Sequence, residues 1–303
     1  MGTTKEVLEK LRGIDGPKLL AIVDGFGGRE MLDAWLRGEL KMTLEEIIKK
    51  LIDKNGRLIP ARELIENVCD PNKNFSLTQP RIDYKERLAR IIKFFPKGMK
   101  FSSLEQFIGQ SESLFEQMRS DLLLSNLLNG IWLPTCFPQM EIRDYGKTLE
   151  EVFILAAKES YRKEFPKRSF NNYRKGELAG KVEIIVGSRH EKLFAKIAEG
   201  PVVGIQFFPT QGFSIDASRQ QMSVLPESLL LSGGIDIMTA VAMYPDVLGK
   251  DFNTPGYLCA ANSWRSAEYS LYAGAHDGDF GFGDSDDLFG ADARFSSGLL
   301  FIG

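Results

Sequence analysis

Residues 181–208 read KVEIIVGSRHEKLFAKIAEGPVVGIQFF, a pattern that predicts a strand, a helix and a second strand in direct succession. Residues 182–186 are β-branched apart from one charge, as in a strand, and Gly187 ends the run. A second run with strand character, residues 202–208, follows a glycine-proline pair. If both strands share a sheet, the short helix is a crossover and the strands are parallel. The crossover is close to the minimum length, so antiparallel placement stays open.

The start of this helix is the leading candidate for a binding site. Ser188 stands three residues before Glu191, a spacing that predicts a capping box. Arg189 and His190 bring hydrogen-bond donors to the first turn, where exposed backbone N–H groups favour anions. We therefore expect a phosphate-bearing ligand at residues 188–191. In the alternative interpretation both side chains face solvent, or Arg189 pairs with a carboxylate.

Other basic residues would add charge to this anion site. Arg174, Lys175 and Arg219 are the candidates for further ligand contacts. If the protein is an enzyme, His190 is the candidate general acid or base, because the unperturbed pKa of histidine is near neutrality and a helix start favours its neutral form. The sequence leaves the ligand, any cofactor and any reaction open.

Composition is typical of an ordinary globular chain. The 303 residues are 43% hydrophobic and 26% charged, and the formal net charge of −3 gives no overall attraction to nucleic acid. No run of about 18 apolar residues is present, and the first thirty residues lack a secretory pattern. We therefore expect a soluble cytoplasmic protein that does not span a membrane.

Several kinds of site lack their sequence signatures. Three separated cysteines and two histidines make no metal-binding spacing, so no metal site is predicted. A nucleophile elbow, a P-loop and a G-x-G-x-x-G turn after a strand are all absent. In the tail, aspartates alternate with glycines without matching either calcium-binding pattern, which predicts a flexible acidic loop before a last strand at 298–302.

The N-terminal half contains repeated helix-start signals. Capping-box spacing recurs before four apolar periodic runs, as in Ser103 with Gln106. The predicted helices there are 3–12, 28–37, 43–53, 60–67, 81–95, 103–128 and 148–164. We predict a mainly helical region at 1–167 and an α+β region at 168–303, with further helices at 235–243 and 263–272. The fold class is therefore α+β, with α/β as the alternative.

Two segments are rich in basic residues. Segment 81–100 predicts a basic amphipathic helix, and segment 158–196 carries eleven lysines and arginines against five glutamates. The tail from residue 271 carries six aspartates against one arginine. The basic segments either pair with this tail or bind a polyanion such as nucleic acid. A nucleic-acid or ribonucleoprotein-associated factor is thus the alternative function, and a non-catalytic interaction or assembly protein is the third.

Stretches between residues 170 and 272, namely FNNYRKGELAG, SRHEKL, YPDVL, FNTPGY and AANSWRSAEYSLY, carry a family resemblance. They resemble uncharacterised proteins encoded in genomes of small, uncultivated bacteria, and the resemblance covers the rest of the chain in looser form. It implies no activity, cofactor or catalytic residue.

Overall fold

A computed structural model of the protein describes residues 51–53, 56–276 and 278–303. The chain divides after residue 48, and residues 49–303 form one compact unit. The helices predicted at 3–12 and 28–37, and most of the one at 43–53, lie outside the described residues. The architecture is α+β, as the sequence predicts.

Local capping signals determine where the first helices begin. Helix α1 spans Tyr84–Phe94, and the side chain of Asp83 accepts a hydrogen bond from a first-turn backbone N–H. Helix α2 spans Leu104–Ser120 and starts with the predicted capping box of Ser103. The remaining α-helices are α3 Leu124–Leu127, α4 Tyr145–Thr148, α5 Leu155–Glu164, α6 Glu191–Glu199, α7 Ile215–Gln221, α8 Gly234–Met243 and α9 Pro245–Leu248. Short 3₁₀ segments cover Arg62–Asn67 and Met222–Val224, and a π-helical segment, Leu149–Ile154, joins α4 to α5.

The strands of the described residues form three sheets. They are β1 Trp132–Phe137, β2 Ser169–Asn172, β3 Val182–Ile184, β4 Val202–Phe207, β5 Leu229–Leu231, β6 Gly256–Leu258, β7 Asn262–Trp264, β8 Ser270–Ala275, β9 Asp279–Ser285, β10 Phe295–Ser297 and β11 Leu299–Phe301. A four-stranded antiparallel sheet has the order β1-β4-β11-β5, and a five-stranded mixed sheet has the order β10-β6-β8-β9-β2. Strands β3 and β7 pair with each other as an antiparallel ribbon.

Strands β3 and β4, which flank the helix predicted between residues 181 and 208, belong to different sheets. Strand β3 pairs with β7, whereas β4 lies between β1 and β11. The parallel crossover that a shared sheet would require is therefore not formed. Helix α6 instead packs against one face of the four-stranded sheet, where Leu193 and Ile197 meet Phe137, Leu230 and Leu300.

Helix α8 is the centre of the main core. All ten of its residues are buried, as expected for a helix that is apolar on every side. It contacts α1, α5, the π-helical segment and β1, and so joins the helical part of the chain to the four-stranded sheet. Strand β1 belongs to the region predicted as helical, yet it pairs with β4 along its whole length. The helices and sheets on either side of residue 167 thus share a core.

Two predictions in the C-terminal part are wrong. The helix expected at 263–272 is replaced by β7, a turn and β8, because Arg265 has a left-handed backbone with φ of 64° that interrupts a helix. Trp264 and Leu271 are buried as expected, but Ala267 is exposed in the turn. The acidic tail, expected as a loop, instead contributes β9 to the mixed sheet through pairing with β8 and β2.

Candidate functional site

The turn at residues 188–190 differs from the predicted helix start. Arg189 has a left-handed backbone with φ of 62°, so α6 begins only at Glu191, with His190 at the N-cap position. The Ser188 hydroxyl accepts from the His190 backbone N–H at 3.3 Å. The capping box predicted between Ser188 and Glu191 is therefore wrong, because left-handed Arg189 stands between them outside the helix.

The Arg189 guanidinium is satisfied within the chain. Its side chain is 11% exposed and pairs with the Glu227 carboxylate at 2.9 Å. Its other acceptors are four backbone carbonyls, those of Met222, Leu225, Pro226 and Leu229. Arg189 thus ties the turn before α6 to the segment that leads into β5.

The His190 imidazole is completely buried. Its Nε2 lies 3.3 Å from the Tyr145 hydroxyl and 3.7 Å from Oδ1 of Asp236. Burial lowers the pKa of His190 to about 3, so the ring is neutral at pH 7. The sequence predicted a neutral ring from the helix dipole, whereas the physical cause is desolvation.

Tyr145, His190, Asp236 and Asn262 form a buried polar cluster at the start of α8. The Tyr145 hydroxyl donates to Oδ1 of Asn262 at 2.8 Å, and the same Oδ1 accepts from the Gly234 N–H at 2.7 Å. Oδ1 of Asp236 accepts from the Gly233 N–H at 2.8 Å. The cluster therefore satisfies backbone donors that a buried helix start would otherwise leave without partners.

Sequence reasoning did not identify three members of this cluster as site residues: Tyr145, Asp236 and Asn262. Burial raises the pKa of Asp236 to about 7 and that of Tyr145 well above its ordinary value. A local signal for Asp236 was present, since Gly233-Gly234 precedes an apolar helix and an acidic residue follows in its first turn. Tyr145 has no such signal, because it reaches the cluster from more than forty residues away in sequence.

The other predicted ligand contacts have different surroundings. Arg219 donates to the carbonyls of Ala260 and Asn262 at 2.9 and 2.8 Å, and burial lowers its pKa. Arg174 pairs with Asp284 and lies 5.0 Å from the Trp264 ring centroid. Lys175 is exposed. The guanidinium groups of Arg174, Arg189 and Arg219 thus donate to acceptors of the chain itself, and the Arg174 pair joins the basic segment to the acidic tail.

The basic helix in segment 81–100 is a neighbour of the first part of segment 158–196. Helix α1 packs against α5, and Arg90 of α1 pairs with Glu164 of α5 at 2.8 Å. Arg87 is buried and pairs with Asp246 at 2.8 Å instead of facing solvent. We call the exposed cations of residues 81–100 and 158–168 the basic surface; they are Arg81, Lys85, Lys93, Lys97, Lys100, Arg162, Lys163 and Lys167.

Metal ligands and reactive thiolates would be the other possible sources of chemistry. Within residues 51–53, 56–276 and 278–303, no group of three or more His, Cys, Asp or Glu is arranged to hold a metal ion. Burial raises the pKa of Cys136 to about 11 and that of Cys259 well above its ordinary value, so both are thiols at neutral pH. No helix in the described part of the chain has the length and apolarity to cross a membrane.

Comparison of the chain with protein-family models, curated proteins and solved structures finds no match. A functional proposal therefore depends on the chemistry of the chain's own residues.

Proposed function

We propose that the protein binds a polyanion, with nucleic acid as the partner class, through the basic surface of α1 and α5. The observation that supports this function is the side-by-side packing of two helices whose basic stretches are far apart in sequence. Neighbouring cationic helices present several lysines to one stretch of phosphate backbone, whereas either helix alone presents few. The proposal places the protein in the cytoplasm, where buried thiols stay reduced.

The charge balance of these helices favours the proposal. Residues 81–100 hold seven lysines and arginines against two acidic residues, and residues 158–168 hold five against two. Internal pairs neutralise Arg87 and Arg90, but Lys85, Lys93, Lys163 and Lys167 have no ion pair among the residues the structure describes. Because lysine acts on phosphates as a point charge, we expect binding to the backbone without strong sequence preference.

The small phosphate-bearing ligand predicted at residues 188–191 receives less support. Arg189 and Arg219 direct their donors at carbonyls, and His190 is completely buried. This site stays a prediction, which a thermal-shift comparison of wild type and Arg189→Ala with nucleotides, phosphosugars and sulfate would test. An equal response of both proteins would exclude the site.

Fluorescence anisotropy with a labelled single-stranded RNA of mixed sequence tests the polyanion proposal. Wild type should bind at about 50 mM salt, and its affinity should fall steeply by about 200 mM as counterion release weakens. A triple variant, Lys85→Gln/Lys93→Gln/Lys163→Gln, should bind about tenfold more weakly or worse, and its affinity should depend less on salt.

A matched control separates the effect of the basic surface on RNA binding from the effect of the net charge of the protein. Lys73→Gln/Lys147→Gln/Lys181→Gln removes three exposed lysines elsewhere and changes the net charge by the same amount. Its affinity should stay within about twofold of wild type if α1 and α5 form the interface. Equal losses in both triple variants, or no binding at low salt, would contradict the proposal and favour a non-catalytic interaction protein.

A further inference from the structure

A cavity of about 250 Å³ lies beside the end of β4. Four parts of the chain line it, namely residues 56–57, 76–77 with 79, 129–131, and 208–209 with 211, together with Pro255 and Ser296. We infer that this cavity binds a small organic carboxylate, which the guanidinium of Arg57 holds. The inference is independent of the polyanion proposal, because none of these residues belongs to α1 or α5.

Arg57 is the first reason for this assignment. Among the residues the structure describes, its buried Nε has no hydrogen-bond partner, and its Cζ lies 5.7 Å from the centroid of the buried Phe213 ring. Within the described part of the chain, no acidic side chain forms an ion pair with this guanidinium. A buried cationic donor without an acceptor is costly, so a bound anion would satisfy a group that the fold leaves unsatisfied.

Three buried or half-buried arginines show what the fold provides when an arginine has a structural role. Arg87 pairs with Asp246 and also donates to the Met243 carbonyl at 3.0 Å. Arg189 donates to four carbonyls and a carboxylate, and Arg219 to two carbonyls. Nε of Arg87 also has no hydrogen-bond partner, but its two terminal nitrogens have acceptors, whereas Arg57 has no side-chain acceptor among the residues the structure describes.

The backbone around Arg57 is held in place. Its N–H donates to Oδ1 of Asp53 at 3.1 Å, and the next N–H, of Leu58, donates to the Pro209 carbonyl at 2.7 Å. Gly56 has φ of 79°, and a Cβ there would lie 3.0 Å from Cα of Gly130. This close approach brings the backbone before Arg57 directly against Gly130, so that residues 56–57 and 129–131 are neighbours in the cavity wall.

The cavity walls indicate the class of anion. Leu77, Ile131, Phe208, Pro209 and Pro255 contribute apolar surface, which suits a ligand with an aromatic or branched aliphatic body. The two glutamine amides already have hydrogen-bond partners. The Gln79 amide donates to the Trp132 carbonyl and accepts from the Trp132 N–H, and the Gln211 amide donates to the Phe75 carbonyl. A planar guanidinium matches a carboxylate through two parallel hydrogen bonds. It can hold a phosphate in the same way, but the apolar part of the lining favours an organic anion over inorganic phosphate.

Titration of the ¹⁵N-labelled protein with benzoate tests the inference. Saturable shifts of backbone amides are expected in residues 56–57, 76–79 and 129–131, with a Kd of about 1 mM or tighter. Benzamide, which has the same shape without the charge, should bind at least about tenfold more weakly. Inorganic phosphate should give no saturable shifts in these segments.

Two matched variants complete the experiment. Arg57→Met should weaken benzoate binding about tenfold or more, whereas Arg62→Met, which removes an exposed arginine nearby, should leave it unchanged. Equal affinity in wild type and Arg57→Met would overturn the inference. If Arg57→Met does not fold, the wild-type titration decides: shifts that are absent, unsaturable or scattered outside the cavity, or equal shifts with benzamide, would also overturn it.

Discussion

At the scale of single residues, folding changes which of His190 and Asp236 holds a proton at mildly acidic pH. Burial lowers the pKa of His190 to about 3 and raises that of Asp236 to about 7. In an unfolded chain the ordinary values are about 6.5 and about 3.9. Between about pH 4 and 6.5 the folded protein therefore holds a proton on Asp236, whereas the unfolded chain holds it on His190. The two effects on stability oppose each other.

Single substitutions should separate these opposing effects. As the pH falls from about 6.5 to 4, His190 of the unfolded wild type takes up a proton, which favours unfolding. His190→Gln lacks this proton uptake, so its stability should rise relative to that of wild type over the same range. Asp236→Asn should lose stability relative to wild type as the pH falls from about 7 to 4, because the folded state no longer gains a proton. The difference in the free energy of unfolding between each variant and wild type, measured by urea unfolding, should change by up to about 1.4 kcal/mol per pH unit. Differences that do not vary with pH would contradict the assignment.

At the scale of elements, α8 depends on how closely its first residues approach the buried polar cluster. A Cβ at Gly233 would lie 2.5 Å from Oδ1 of Asn262, 2.7 Å from the Tyr145 hydroxyl and 2.8 Å from Nε2 of His190. These atoms hold one another by hydrogen bonds and are buried, so they cannot move aside without losing their partners. The start of α8 therefore has room for glycine only.

Alanine at two glycines, one at the N-cap of α8 and one inside α2, should have opposite effects. Gly233→Ala should destabilise the protein by about 1–3 kcal/mol or more, because the added methyl group overfills a packed site. Gly109→Ala should stabilise it by about 0.5–1 kcal/mol, because Gly109 lies in the exposed interior of α2 and an added Cβ meets no atom within 4 Å. Chemical denaturation measures both changes. A neutral Gly233→Ala would contradict the packing described around α8.

At the scale of the whole molecule, the helical and mixed parts share one core. Strand β4 pairs with β1 from the helical side, and α8 packs against α1 and α5. A fragment without residues before 168 would expose an edge of β4 and the apolar surface of α8.

This shared core predicts how fragments behave. A fragment of residues 168–303 should lack a cooperative unfolding transition, whereas a fragment of residues 49–303 should unfold cooperatively. Circular dichroism during urea titration compares the two. A cooperative transition in the shorter fragment would instead support a domain boundary at residue 167, as the sequence predicts.

Helix starts and apolar runs, which depend on residues close together in the sequence, were determined by the sequence itself. The capping box at Ser103 and the apolar run of α8 were predictable because each arises within a few residues of the chain. The α+β class followed from helix-start signals in one half and β-branched runs in the other. The helix wrongly expected at 263–272 shows the limit of this information: helical spacing of apolar residues also arises when a turn brings two strands together.

The tertiary structure alone decided which side chains act together. Arg189 satisfies its donors with carbonyls 33 to 40 residues away, and Tyr145 reaches Asn262 across 117 residues. The pairing of α1 with α5 and the cavity around Arg57 likewise combine distant segments. The physical reason is the distance along the sequence between the residues that interact. Helix starts and strand patterns depend on contacts between near neighbours, whereas the partner of a charged side chain is set by how the whole chain closes on itself.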